Sequence, residues 1–534
     1  MWHNFIGGFY TVEKNIGIDF GTTNTVIYTR DSKGKLKKIG GKSIKSAIYF
    51  LTRDDYVIGE DALHHADNYK HSQALITDFK PNIMEKIPIV SEDGTAFKLK
   101  GEVIARLFLN KVLSDYVEVR FKKFFGIAEM CEADKTVITV PAKFDVEKKA
   151  KIKKSAKSAM FSNVGIAFEP TAAAIAASDS EVDEDVIAVY DFGGGTFDVS
   201  VIEKGNDNHY LSLDKDGDPN LGGNNITKAV ADQIILPVLR KSGLEIYSDI
   251  DEMEFDEDEQ SMTEDEYLYN MRVVREYIET LKEYFSDQDD AYIREINIRQ
   301  NEAVCAYGLT ISKEQFETVI QPYVQMTVNI TRRVIDKVRT NKKYVKKIIM
   351  AGGSSQLSLA ESMLREEFEN EDIDVILSDS VFDLIAKGAL FMAEQQKLIH
   401  VDEKTTTQFG VGVRTGIGIK KFEKLIDVDE ILPVSGSKTF KIDRNILSVG
   451  VVEIPCYEKD VKNYPESITE RDKGISHINT YRIGIDKESN PSEIQVTFTI
   501  ETDGTLNLTV QLYDDSGKPI RDFNAEIMSD SDIE

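Results

Sequence analysis

Cysteine is scarce: three residues in 534, Cys131, Cys305 and Cys456, with no CxxC spacing among them. That excludes a disulfide framework and a zinc ribbon, and it suits a reducing compartment. Positive charge is short as well. The chain carries 65 Lys and Arg against 92 Asp and Glu, a net charge of −27, which argues against a nucleic-acid or anionic-membrane partner. No window approaches the ~18 consecutive apolar residues of a membrane-crossing helix. The N-terminal MWHNFIGGFYTVEK lacks a basic region followed by an unbroken apolar run, so a secretory signal is not expected. The terminal SDSDIE matches no retention or lipidation signal. The expectation is a soluble, cytoplasmic protein. The seven histidines form no HExxH-type pair, so any metal is expected on oxygen ligands. GxxxxGK[ST] is also absent, which excludes a P-loop.

What the chain does have is a repeated local design. NIGIDFGTTNT (Asn15–Thr25) returns in altered form as AVYDFGGGTFDVS (Ala188–Ser200). Each has an apolar strand, an Asp, a Gly-Thr turn and a second strand, so the chain reads as two related halves. From Asn15 to Ala393 apolar runs alternate with helical patterns, which indicates α/β layering. KTVITVP (Lys135–Pro141) reads as a buried strand ended by proline, and Ile152, Ala156, Ala159 and Met160 share one face of the helix after it. VKKIIMAGGSS (Val345–Ser355) is a third strand running into a glycine turn. After Thr405 the period changes to two: Ile494, Val496, Phe498 and Ile500, then Leu506, Leu508 and Val510, with Thr502–Gly504 as a hairpin turn. That tail is expected to be antiparallel β. Between Asp249 and Glu266 eleven of eighteen residues are acidic. A solvated loop is the plain reading, and a docking surface for a basic partner is the other.

The glycine turns suit phosphate. Small residues let backbone N–H groups close on an anion, and threonine hydroxyls add donors. Each turn ends an apolar strand, where α/β sheets bind ligands. Asp19 and Asp191 precede the turns and can hold a hydrated Mg²⁺ facing the phosphates. Two turns approaching from opposite sides would clamp one polyphosphate.

In order and spacing, GIDFGTTNT, VITVPAKFD, FEPTAAAIAAS, DFGGGTFDVSVI, NLGGNNIT and IIMAGGSSQL resemble the nucleotide-binding domain of the heat shock protein 70 (DnaK-type) chaperones. QFGVGV and IQVTFTIETDGTLNLTV are similar to the peptide-binding sandwich of that family. The resemblance implies an α/β actin-like (ribonuclease H-like) two-lobed ATPase domain over residues 11–395, a linker over 396–408, an antiparallel β-sandwich over 409–517 and an acidic tail over 518–534. It implies ATP or ADP with Mg²⁺, and possible K⁺, in the cleft. Gly21, Thr22, Thr23 and Gly193 to Thr196 would hold the phosphates, with Gly222 and Gly223 nearby. Asp19 and Asp191 would organise the metal through water. Glu169 and Asp198 would stand near the attacking water. Glu279, Lys282 and Ser286 would meet the adenosine, and Gly352 and Gly353 would pack on the nucleoside. Lys80 in ITDFKPNI is the best match for the lysine that orients the water, with Lys70 as the alternative. Pro141 matches a hinge proline.

The chain also departs from that family. Glu283 and Gln356 stand where the family stacks two arginines on adenine. A planar cation is lost on both sides, which weakens the grip by roughly 1 kcal/mol or more per stack. The linker span VDEKTTTQ (Val401–Gln408) is polar where the family has leucines, unless the neighbouring KLIHV (Lys397–Val401) substitutes for it. Burying Asp402, Glu403 or Lys404 would cost free energy, so this segment is not expected to dock. Gly165 and Phe168 replace an arginine and an asparagine tied to partner stimulation, which argues against J-domain control. The residues after Tyr513 are expected to form no helical lid. The expected partners are unfolded or extended peptides and a nucleotide-exchange factor. Three functions fit the cleft: an ATP-hydrolysing peptide-binding chaperone, a nucleotide-gated scaffold with little turnover, and an actin-like filament protein or sugar kinase. The β tail weighs against the third.

Overall fold

The computed structural model describes residues 15–526 apart from 32, 117–121, 125–126, 130–134, 143, 160, 162, 181–185, 206–208, 254–261, 301, 378–380, 395–399, 416–418, 443–449, 460–466, 469–474, 486–490 and 503. The N-terminal stretch, Cys131, Met160, the centre of the acidic run, Lys397–Ile399 and the last eight residues therefore lie outside the description. Among the described residues no helix is long and apolar enough to cross a membrane. The chain divides into two compact units. One comprises residues 1–142, 152–202 and 216–397, and the other comprises 143–151, 203–215 and 398–534.

The duplication read from the sequence is present in the first unit as two sheets with the same strand order. In one sheet, Asn15–Phe20 lies between Lys135–Val140, which runs parallel to it, and Asn24–Arg30, which runs antiparallel. Val164–Phe168 continues the sheet beyond Lys135–Val140 in parallel. In the other, Val186–Phe192 lies between the parallel Lys347–Ala351 and the adjacent Phe197–Lys204, and Asp374–Leu377 continues the parallel side. All seven residues of Val186–Phe192 are buried, as expected for a central strand covered on both faces. The helix Leu384–Glu394 packs on the first sheet, with Ala386 and Leu390 fully buried against Val26 and Tyr28.

The second unit is β-rich. One sheet runs in the order Ser467–Ile468, Ile419–Ile426, Gln408–Thr415, Val451–Lys459, Ile475–Gly484. The other runs Val434–Lys441, Glu493–Ile500, Leu506–Tyr513, Pro519–Glu526. The two enclose one apolar core in which Phe409, Val411, Ile454 and Cys456 meet Val496, Phe498, Leu508 and Val510. The period-two positions of the strands Glu493–Ile500 and Leu506–Tyr513 are the inward ones, and the two strands pair antiparallel with Ile500 opposite Leu506; the turn expected at 502–504 includes residue 503, outside the described residues.

One sequence expectation needs correction here. Residues 519–526, assigned to the acidic tail, form an edge strand paired antiparallel with Leu506–Tyr513. The pairing uses main-chain groups, so the lack of a strong apolar stripe in PIRDFNAE did not prevent it. His400–Asp402 is a strand parallel to His209–Leu211, and Glu403 is buried, accepting from the buried Lys215 Nζ at 2.8 Å. Pairing with Lys215 offsets the cost of burying the carboxylate.

Candidate functional site

A single cleft in the first unit gathers nearly all the residues singled out in the sequence. Its lining includes Asp19, Gly21, Thr22, Thr23, Lys80, Glu169, Asp191, Gly193, Gly194, Gly195, Thr196, Gly223, Glu279, Lys282, Ser286, Gly352 and Gly353. Each is placed by the strand or helix that precedes it. Asn15–Phe20 delivers Asp19 and its turn, Val186–Phe192 delivers Asp191 and the glycine run, and Glu169 opens the helix Glu169–Ser180. Lys347–Ala351 delivers Gly352 and Gly353.

The two Gly-Thr turns meet face to face. A Cβ at Gly194 would lie 2.5 Å from Thr23 Oγ1, and one at Gly195 would lie 2.8 Å from Thr22 Oγ1. Both distances are too short for any side chain, so glycine is what allows the turns to close on each other. The glycine run is braced from behind. Gly193 O accepts from Gly223 N–H at 3.0 Å and from Ser354 Oγ at 2.9 Å, and Gly194 O accepts from Asn224 N–H at 2.7 Å. Gly352 takes φ +79, where a Cβ would meet Asp191 Oδ1 at 2.5 Å. Both its backbone conformation and its surroundings demand glycine.

Lys80 Nζ donates to Glu169 Oε1 at 2.9 Å, with both side chains almost fully buried. Lys70, the alternative, is exposed beside Tyr69 and does not line the cleft. Asp19 is pushed up to about 7, first by burial and then by the neighbouring Glu169, while Lys80 and a hydrogen bond from Thr139 pull the other way. Asp191 is raised well above the usual carboxylate range by burial, then by Glu169, Asp198 and Asp19. The site is therefore short of positive charge, and its carboxylates would be relieved by a cation. Among the described residues no group of three or more His, Cys, Asp and Glu is placed to ligate one ion directly. The donor set accordingly suits a hydrated hard cation such as Mg²⁺, held through its water shell by Asp19 and Asp191.

At the far end, Glu279 Oε1 accepts from Lys282 Nζ at 2.8 Å and from Thr227 Oγ1 at 2.8 Å. Lys282, which like Glu279 lies on the helix Glu264–Asp287, also donates to Gly223 O at 2.8 Å, which ties that helix to the residue bonded to Gly193. Burial alone would raise Glu279, but Lys282 and Thr227 leave it net lowered. Glu283 and Gln356 both line the cleft near this end, so neither expected arginine position carries a guanidinium.

Two expected residues do not line the cleft. Asp198 is buried behind it and acts on Asp191 through its charge. Gly222 sits beneath the glycine run, where a Cβ would be 2.5 Å from the carbonyl carbon of Gly195. Sequence reasoning also missed several lining residues: Lys45, Asn224, Ser354 and the apolar group Leu357, Val381, Phe382 and Ile385. Asn224 is tied in by Arg275, whose guanidinium reaches Asn224 Oδ1 at 2.6 Å and Asp78 Oδ2 at 3.2 Å. Its place beside the glycine pair of NLGGNNIT was a usable signal. Phe382 had none.

The family model described as "Hsp70 protein" matches residues 15–534. The chain is 27% identical over 519 residues to the "Chaperone protein HscA homolog" of Vibrio parahaemolyticus, an alignment covering 92% of this chain and 75% of that protein.

Proposed function

The chain belongs to the Hsp70 family, and from that premise we propose that it is an ATP-dependent chaperone that hydrolyses ATP in the cleft and binds extended peptide segments on its β-rich unit. The observation that carries this reading is the pair of facing Gly-Thr turns with Lys80 and Glu169 between the two aspartates. Phosphoryl transfer needs positioning and neutralisation of charge more than covalent chemistry. Thr22, Thr23 and the Gly193–Thr196 turn bind and orient the phosphate chain. Asp19 and Asp191 hold the water shell of Mg²⁺, which when bound supplies the positive charge the carboxylates lack. Glu169 fixes the Lys80 ammonium by a buried hydrogen bond, so that the cation orients the attacking water without being free to swing. Asp198 keeps Asp191 receptive to positive charge.

The test is calorimetric titration of the full chain with Mg-ADP and Mg-ATP, with and without an unfolded peptide. Binding that requires Mg²⁺ is expected; absence of nucleotide binding overturns the reading. A second reading, a nucleotide-gated scaffold with little turnover, is favoured by Glu283 and Gln356 in the cleft wall. Steady-state ATPase with and without peptide separates the two, because only the chaperone reading expects turnover that peptide stimulates.

A further inference from the structure

We propose that Phe382 is the nucleobase-stacking residue of the cleft, so that this chain grips its nucleotide by an aromatic face where the family it resembles stacks two guanidinium groups. The inference rests on the reading of the cleft as a nucleotide site and adds to it how the base is held. Phe382 is the one aromatic side chain among the described residues that line the cleft. It is 39% exposed, although a phenylalanine on a turn gains by burying its ring. The ring lies against Gly353: a Cβ built there would be 2.7 Å from Phe382 Cε1, so glycine at 353 leaves room for the ring. Val381, Leu357 and Ile385 are buried apolar side chains on the same cleft lining.

Charge at this end of the cleft fits a stacked base better than a cation sandwich. Glu283 carries the wrong sign to lie on a π-face as a cation, and Gln356 carries no charge. Aromatic stacking asks for neither. A partly exposed ring is already desolvated on its Gly353 side, and a purine covering the other side removes the rest of its apolar surface from water.

The experiment titrates Mg-ADP and Mg-pyrophosphate into the full-length wild type, Phe382→Ala and Phe382→Trp. In Phe382→Ala, ADP affinity is expected to fall roughly five- to a hundredfold, the range for losing one base–aromatic stack, with pyrophosphate affinity unchanged. In Phe382→Trp, ADP affinity is retained, and the indole fluorescence is quenched by ADP but not by pyrophosphate. The chain's own tryptophan, Trp2, is read as a blank in the wild type. ADP affinity within twofold of wild type in Phe382→Ala overturns the stacking role and leaves the nucleotide site standing. Equal losses for ADP and pyrophosphate also overturn it, since the ring would then be shaping the phosphate end. A wild type that binds pyrophosphate as tightly as ADP overturns it too, because the base would contribute nothing. A wild type that binds neither removes the nucleotide reading and the stack with it.

Discussion

Lys80 and Glu169 form a buried ion pair at 2.9 Å, and that governs what a substitution at either residue does. Removing the lysine strips the cation from the site and leaves Glu169 buried beside two aspartates that burial and mutual repulsion already push up. Lys80→Ala is therefore expected to slow single-turnover ATP cleavage by at least about a hundredfold, the scale of losing one preorganised donor. Mg-ADP binding should suffer less in that variant than in Asp191→Ala, which on the proposed reading would lose a carboxylate that holds the metal's water shell. Normal cleavage in Lys80→Ala would end the assignment, since Lys70 is outside the cleft. Elsewhere, Glu458 is raised by burial despite the nearby Lys149, a hydrogen bond from Thr407 Oγ1 at 2.7 Å and one from Val146 N–H at 3.3 Å. A carboxyl whose folded value lies above its unfolded one costs stability while ionised, and that cost disappears as pH falls through the folded value. Glu458→Gln should thus melt higher than wild type at pH 8, with the gap closing towards pH 4.5. A variant that is equally destabilised at both pH values would mean that hydrogen bonding to the carboxylate outweighs its desolvation.

At the scale of elements, the cleft exists because two strand-turn-strand units present glycine turns that interlock, and this much was legible in the sequence. Asp19, Asp191 and their turns sit in recurring motifs whose spacing follows the strands that carry them. Phe382 was not legible, because it follows no motif: it lies on a turn ahead of the helix Leu384–Glu394, and only tertiary packing brings it to Gly353. The strand Pro519–Glu526 was missed for another reason. An edge strand is held by main-chain hydrogen bonds to a single neighbour, which leave little trace in side-chain pattern. The burial of Glu403 was not legible, because the charge opposite it comes from Lys215, far away in sequence. Two predictions belong at this scale. Gly222→Ala, although outside the cleft lining, would push a methyl to 2.5 Å from the backbone of Gly195. Nucleotide affinity should fall about tenfold or more, on the reasoning that overpacking against backbone costs about 1–3 kcal/mol. Calorimetry with unchanged affinity would show that this packing does not set the turn. Glu403→Ala should destabilise the β-rich unit by about 3–5 kcal/mol by removing the carboxylate that accepts from the buried Lys215 at 2.8 Å, whereas Lys215→Met with Glu403→Leu should return to wild type or above. Denaturant unfolding of the full chain reads both.

For the whole molecule, the question is how strongly nucleotide and peptide affinities are linked. Linkage in a two-state protein cannot exceed the free energy by which each ligand distinguishes the states. A linker of leucines can supply that difference, since each buried side chain is worth about 1.5–3 kcal/mol. The stretch His400–Gln408 offers a three-residue strand, His400–Asp402, and a buried Lys215–Glu403 pair instead. A buried ion pair returns little net free energy, because desolvation consumes most of the Coulombic gain. Strand hydrogen bonds are likewise nearly balanced by those made to water. Switching such a segment between two environments therefore biases the equilibrium weakly, however well it packs in one of them. We expect peptide affinity to change less than about tenfold between ADP and ATP, a coupling below roughly 1.4 kcal/mol. By reciprocity, a saturating peptide should shift ADP and ATP affinities relative to each other by the same small factor. Fluorescence titration of a labelled extended peptide into the intact chain, in each nucleotide in turn, measures the first quantity, and calorimetry with peptide present measures the second. A hundredfold difference in either would mean that the switching free energy is stored in contacts other than this linker's, and the ion pair would then be incidental to signalling.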